Sequence, residues 1–180
     1  MKSFFPSIVV AAALAAGFGS AQIERLDLKA MVAKTDNSVY AEITHKRVFR
    51  VDHPLDGPEL FFTTLTLQGR SLRDGTALTV DVTFPGGFVS ETEGVHNSEA
   101  PSAEDVKLGN RVVAFYRWTA NMGGDVRGNA LYASHGGLYR TLEGPKGVPM
   151  VLGRGDGYAV DKNLRLDELE TAVRTLVGKK

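Results

Sequence analysis

Strict alternation of apolar and polar residues, in short runs between glycine-rich breaks, is the feature that most limits the folds open to this chain. Leu78, Val80, Val82 and Phe84 alternate with Thr79, Asp81 and Thr83, a period that suits a half-buried strand and no helix. Phe61, Thr63, Leu65 and Leu67 alternate with Phe62, Thr64, Thr66 and Gln68 in a second run, and Val39, Ala41 and Ile43 with Ser38, Tyr40, Glu42 and Thr44 in a third. In that third run the same parity continues through His45 and Arg47 to Phe49 and Val51. Two polar residues thus fall on the apolar side, and a twist or bulge that carries them out of the core is expected. Turn chemistry separates the runs at His53 to Pro58 (HPLDGP), Arg73 to Gly75 (RDG) and Pro85 to Gly87 (PGG), where Pro and Gly break the ladder.

Further along, Arg111 to Trp118 (RVVAFYRW) is apolar on both parities, which predicts a central strand covered on two faces. Leu131 to Tyr139 and Val148 to Val160 predict further short strands, broken by Gly136-Gly137, Gly144-Pro145 and Gly153. Helical spacing occurs only near the ends. Leu26 to Lys34 places Leu28, Met31 and Val32 on one face behind a candidate N-cap at Asp27. A second helix is predicted from about Asp167 to Val177, with Leu166, Leu169, Val173 and Leu176 as its buried stripe, Asp167 and Glu170 as a capping box, and Gly178 as its stop. Short strands at near-regular spacing with glycine-rich turns favour a small antiparallel β-barrel, with a β-sandwich as the rival, over a parallel α/β sheet. The connection from Pro85 to Asn110 is long and polar; such loops tend to be functional or mobile.

The first residues carry a different signal. Lys2 precedes the apolar stretch Ile8 to Ala16, and Gly19-Ser20-Ala21 supplies small residues at the positions a signal peptidase reads. Export with cleavage before Gln22 is expected, giving a periplasmic or secreted chain of residues 22–180 in a single β-rich domain. The apolar stretch is shorter than the ~20 residues that span a bilayer, so no stable membrane insertion is expected after removal of residues 1–21. The absence of cysteine excludes disulfides, thiolate metal sites and a cysteine nucleophile. An exported chain without cysteine or an N-x-S/T sequon fits a bacterial source. With 21 basic against 21 acidic residues, the chain has no charge footprint for nucleic acid.

None of the four histidines, His45, His53, His96 and His135, sits in a ligand-pair spacing. They read as exposed or satisfied, so neither a metal nor a cofactor is expected. His96, near Glu91, Glu93 and Glu99, is the nearest to a ligand. No G-x-S-x-G or S-x-x-K pattern occurs, and adjacent Ser134 and His135 would point to opposite faces of a strand. The run Gly153 to Gly157 (GRGDG) lacks the G-K-S/T and the following helix of a phosphate cradle; it reads as a tight turn, and the Arg154-Gly-Asp156 tripeptide within it as incidental. Asn121 and Asp125 do not meet the spacing of a calcium loop. Phe115, Tyr116 and Trp118 cluster on one strand, and Phe88 stands at the root of the polar connection. Trp and Tyr are frequent interface anchors. Phe88, His96, Tyr116 and Trp118 are therefore the candidate binding residues.

The order of pieces resembles a group of uncharacterised exported bacterial proteins. The matching pieces are Leu28 to Val39, Val82 to Gly87 (VTFPGG), Glu99 to Pro101 (EAP) and Leu108 to Phe115 (LGNRVVAF), within a span from Leu26 to Val160. The arrangement is also similar to the OB-type barrel of the netrin and tissue-inhibitor-of-metalloproteinase class. That likeness is architectural. Those inhibitors chelate a protease zinc through an N-terminal cysteine, which this chain lacks, so no functional residue carries over. The resemblance implies an OB-like barrel with a helix at each end. The expected function is non-enzymatic binding of an extracytoplasmic protein or other extracellular ligand. The alternatives are an enzyme with a dispersed site around His96 and His135, and a self-associating envelope protein.

Overall fold

The computed structural model describes residues 26–178; the expected export signal, residues 1–21, lies outside them. Helix α1 (Leu28–Lys34) begins where Asp27 accepts the Ala30 N–H at 2.7 Å, and it buries Met31 and Val32. Its last carbonyls are taken by Arg73, whose Nη2 donates to Val32 O and Thr35 O at 2.9 and 2.7 Å. Burial pushes that guanidinium below its ordinary pKa, against the opposing pull of Asp36.

Among the described residues ten strands follow: β1 (Asn37–His53), β2 (Gly57–Ser71), β3 (Ala77–Pro85), β4 (Gly87–Phe88), β5 (Gly94–Val95), β6 (Arg111–Thr119), β7 (Gly128–Leu131), β8 (Leu138–Glu143), β9 (Pro149–Val151) and β10 (Leu164–Arg165). Strand β1 pairs antiparallel with β2, β2 with β3, β6 with β7, and β6 with β1. The ring closes through a parallel pairing of β3 with β7, Val82 opposite Asn129 and Thr83 opposite Ala130. The result is a closed five-stranded barrel in the order β1-β2-β3-β7-β6, compatible with an OB-like barrel. Its interior holds Val39, Ala41, Ile43, Leu65, Leu67, Val82, Phe84, Val112, Ala114 and Leu131.

The register of β1 against β2 slips between Ile43 and His45, the bulge that the polar pair His45 and Arg47 called for. Before the slip, odd residues of β1 face inward. After it, Lys46 stands opposite Leu65 and Val48 opposite Thr63, so the even residues take the barrel-facing side. Beyond the bulge, β1 and β2 run on as a long hairpin, while β6 pairs with β1 only from Asn37 to Glu42.

Strand β6 is buried from Val112 to Tyr116. Val112, Ala114 and Tyr116 face the barrel core. Val113 and Phe115 face a second core built from Met31, Val32, Leu72, Tyr139, Val151, Val160, Leu166, Leu169 and Val173. Strands β8, β9 and β10 extend the sheet beyond β6, and α1 and α2 (Leu166–Val177) close this second core. The cap of α2 differs from expectation. Arg165 is the N-cap, and Glu168, not Glu170, reaches back to accept the Arg165 N–H at 3.2 Å. Asp167 instead grips the Arg165 guanidinium, and Glu170 turns toward the barrel to pair with Arg70 of β2. The reason is geometric: α2 starts at Leu166, two residues before the start that an N-cap at Asp167 implies, so the box moves by two positions. No helix among the described residues is long and apolar enough to cross a membrane.

Candidate functional site

The connection from β3 to β6 is a built element. Gly86 donates to Phe61 O at 2.7 Å, Thr63 Oγ1 donates to Gly86 O at 2.7 Å, and Asn97 Nδ2 donates to Pro85 O at 3.1 Å. These bonds hold the stem of a short β4–β5 hairpin, Gly87 opposite Val95 and Phe88 opposite Gly94. Gly87, at φ +127°, lies so close to Thr63 and Val48 that a side chain would not fit. Further on, Val106 is buried and Ala100 packs beside it on the barrel core, so residues 100–106 plug one end of the barrel.

Asp105 fastens the plug. It accepts from Arg140 Nε at 3.2 Å and Arg154 Nη2 at 3.0 Å, and Arg154 also donates to Leu138 O. Burial pushes the Asp105 carboxyl up, but hydrogen bonds from Arg154 and Ser102 and the Arg154 charge outweigh it and hold the group below the usual aspartate value. Arg154 is thus occupied within the fold, and a turn follows it at Asp156 and Gly157, where the Tyr158 N–H donates to Gly155 O at 3.3 Å.

Between the hairpin and the plug lies a groove of about 490 Å³, within the size range of ligand sites. Val48, Thr63 and Phe84 lie against it from β1, β2 and β3. Phe88, Val95 and His96 line it from the hairpin side, Pro101 to Ala103 from the plug, and Lys46 from β1. Phe88 and Val95 stand 50% and 44% exposed in its lining, apolar surface that water does not favour. The hairpin tip is tied to the long β1–β2 hairpin by Arg50. Its guanidinium meets Asp52 at 2.9 Å, Glu93 at 3.1 Å and Glu59 at 3.5 Å. Those hydrogen bonds raise the Arg50 pKa and lower that of Asp52.

Of the four candidate residues, the groove brings together Phe88 and His96. Tyr116 is buried inside the barrel, and burial raises its phenol pKa. Trp118, two residues along the same strand, is 56% exposed, because β6 has by then run past β1 and pairs only with β7, opposite Asn129. Tyr116 and Trp118 share neither the groove nor a common surface. Lys46 and Val48 were not singled out in the sequence. The polar residues at positions 45 and 47 that mark the bulge were the available signal, since the slip turns 46 and 48 toward the groove.

The remaining histidines have structural partners. His135 Nδ1 lies 3.0 Å from Glu99 O, and a carbonyl accepts only, so Nδ1 carries the proton; Nε2 then accepts from Tyr158 Oη at 3.0 Å. His53 Nδ1 accepts the Leu55 and Asp56 N–H groups, and its Nε2 meets Asp125 at 3.3 Å. His135 is absent from the lining of the groove that holds His96. Among the described residues, no three His, Asp or Glu side chains converge as a metal-ligand set.

The chain matches no protein-family model, no curated protein and no solved structure. The closed barrel agrees with the OB-type architecture, and the likeness to an exported bacterial group rests on sequence motifs alone.

Proposed function

We propose that this chain is a non-catalytic binding module, working outside the cytoplasm, that takes a segment of a partner protein in the groove between the β4–β5 hairpin and the plug, beside β1. The observation that carries the reading is the juxtaposition of exposed Phe88 and Val95 with a groove floored by Val48, Thr63 and Phe84. An apolar floor with a few polar groups at its rim is the ordinary make-up of a recognition site. His96 lines the groove and His135 does not, so the groove does not hold the pair of imidazoles on which the dispersed-site enzyme alternative was built.

The test is affinity capture from the envelope and culture fluid of the source organism, with wild type, Phe88→Asp and Leu142→Asp as baits. Leu142 is 56% exposed and lies outside the groove. The reading expects one protein, recovered in stoichiometric amount, to be lost by Phe88→Asp and kept by Leu142→Asp. Equal recovery with all three baits would place the contact elsewhere.

A further inference from the structure

We propose that β1 receives an added strand: an extended acidic and apolar peptide segment of the partner pairs along the free edge of β1 from His45 to Val51. The proposal rests on the groove reading and names what the groove admits. Three observations converge on it. The first is the edge itself. Strand β6 pairs with β1 from Asn37 to Glu42, and Ile43 exchanges bonds with Gly109 and Asn110. Beyond that point, among the described residues, β2 is the only neighbour in register with β1. Among the described residues, the N–H and C=O groups on the other side of this run thus have no strand partner, and such a row is a template for another strand.

The second observation is charge. His45, Lys46 and Arg47 are all exposed, and among the described residues no carboxylate forms an ion pair with any of them. Arg47 lies over the Phe49 ring, 5.0 Å from its centroid, and His45 contacts Thr44. Arg50, by contrast, is neutralised by three carboxylates. A second copy of this edge would bring like charges together, so the cations oppose self-pairing and favour an acidic strand.

The third is the alternation of faces. Lys46 and Val48 lie on the groove side, Arg47 and Phe49 on the other. A strand laid along this edge therefore meets a cation on each face at two adjacent positions, and an apolar side chain on each face at the next two. On the groove side, its apolar side chain would lie beside Val48 and Phe88. Two adjacent acidic residues flanked by β-branched apolar residues are the matching chemistry.

The probe is a fluorescein-labelled peptide, Val-Thr-Val-Glu-Glu-Val-Thr-Val, whose symmetry serves either strand direction. Binding to the purified protein is followed by fluorescence anisotropy, with ¹H–¹⁵N correlation spectra recorded in parallel. Saturable binding is expected, weakened at least tenfold by Lys46→Glu with Arg47→Glu, and abolished when alternate peptide nitrogens are methylated. The methylated peptide tests the backbone pairing on unaltered protein, so the outcome does not depend on the variant folding. Binding that survives N-methylation, or that is unchanged by the charge reversals, overturns strand addition. If such binding still shifts the Val48, Phe88 and His96 resonances, the groove reading stands without it. If the peptide moves no groove resonance at all, both readings fall.

Discussion

Asp105 joins the plug both to β8, through Arg140, and to the segment that holds Arg154. Replacing it by Asn leaves the guanidinium groups without their countercharge. The expected loss is about 2 kcal/mol, below the ~3–5 kcal/mol of a fully buried broken pair because Arg140 is partly solvated. The pH dependence has a definite sign. The folded carboxyl titrates below its unfolded value of about 3.9, so its contribution is complete above that pH and is lost as pH falls through the lower folded value. Thermal melts of wild type and Asp105→Asn should differ by a constant margin near neutrality and converge below about pH 4. A margin that persists unchanged to about pH 2 would show that charge at Asp105 is not the source.

At the scale of elements, the β1–β2 ladder depends on a close approach. Gly69 of β2 stands opposite Ala41 of β1, and a side chain there would run into the Tyr40 carbonyl oxygen and Ala41. Gly69→Ala must push the β1–β2 ladder apart, at an expected cost of about 1–3 kcal/mol. Gly178→Ala, at an ordinary φ of −72° with only the Arg174 carbonyl oxygen at 3.5 Å, should change stability by less than about 0.5 kcal/mol. Chemical denaturation of the two variants checks both, and equal midpoints would remove the close approach from the account.

Elements of this kind differ in how far sequence exposes them. Alternation revealed β1, β2 and β3, the double cover of β6 was readable from its two apolar parities, and His45 with Arg47 announced the bulge. The closure of β3 on β7 was not readable, since period-two patterning states which side is buried and not which strand lies alongside. The β4–β5 hairpin escaped because each strand is two residues long, too short to show a period. Tyr116 and Trp118 share a parity, yet one is buried and one exposed. What separates them is where β6 leaves the barrel, a property of tertiary register alone.

On the scale of the whole molecule, two cores meet across β6. The barrel core lies on one side of β6, and the helical core of α1 and α2 lies on the other. The helical side is closed by the Arg73 bonds to α1 and the Arg70–Glu170 pair to α2. The barrel side is plugged by residues 100–106, leaving its groove and the outer run of β1 open. That asymmetry locates the proposed binding face.

The most direct measurement of that claim is site-specific photocrosslinking in the living source organism. A benzophenone side chain would be placed at Phe88 or, as the control on the opposite run of sheet, at Leu142. The account expects a covalent adduct to one partner protein from position 88, mapping to an acidic and apolar segment of that partner, and none from position 142. Adducts from position 142 alone, or equal adducts from both, would contradict it.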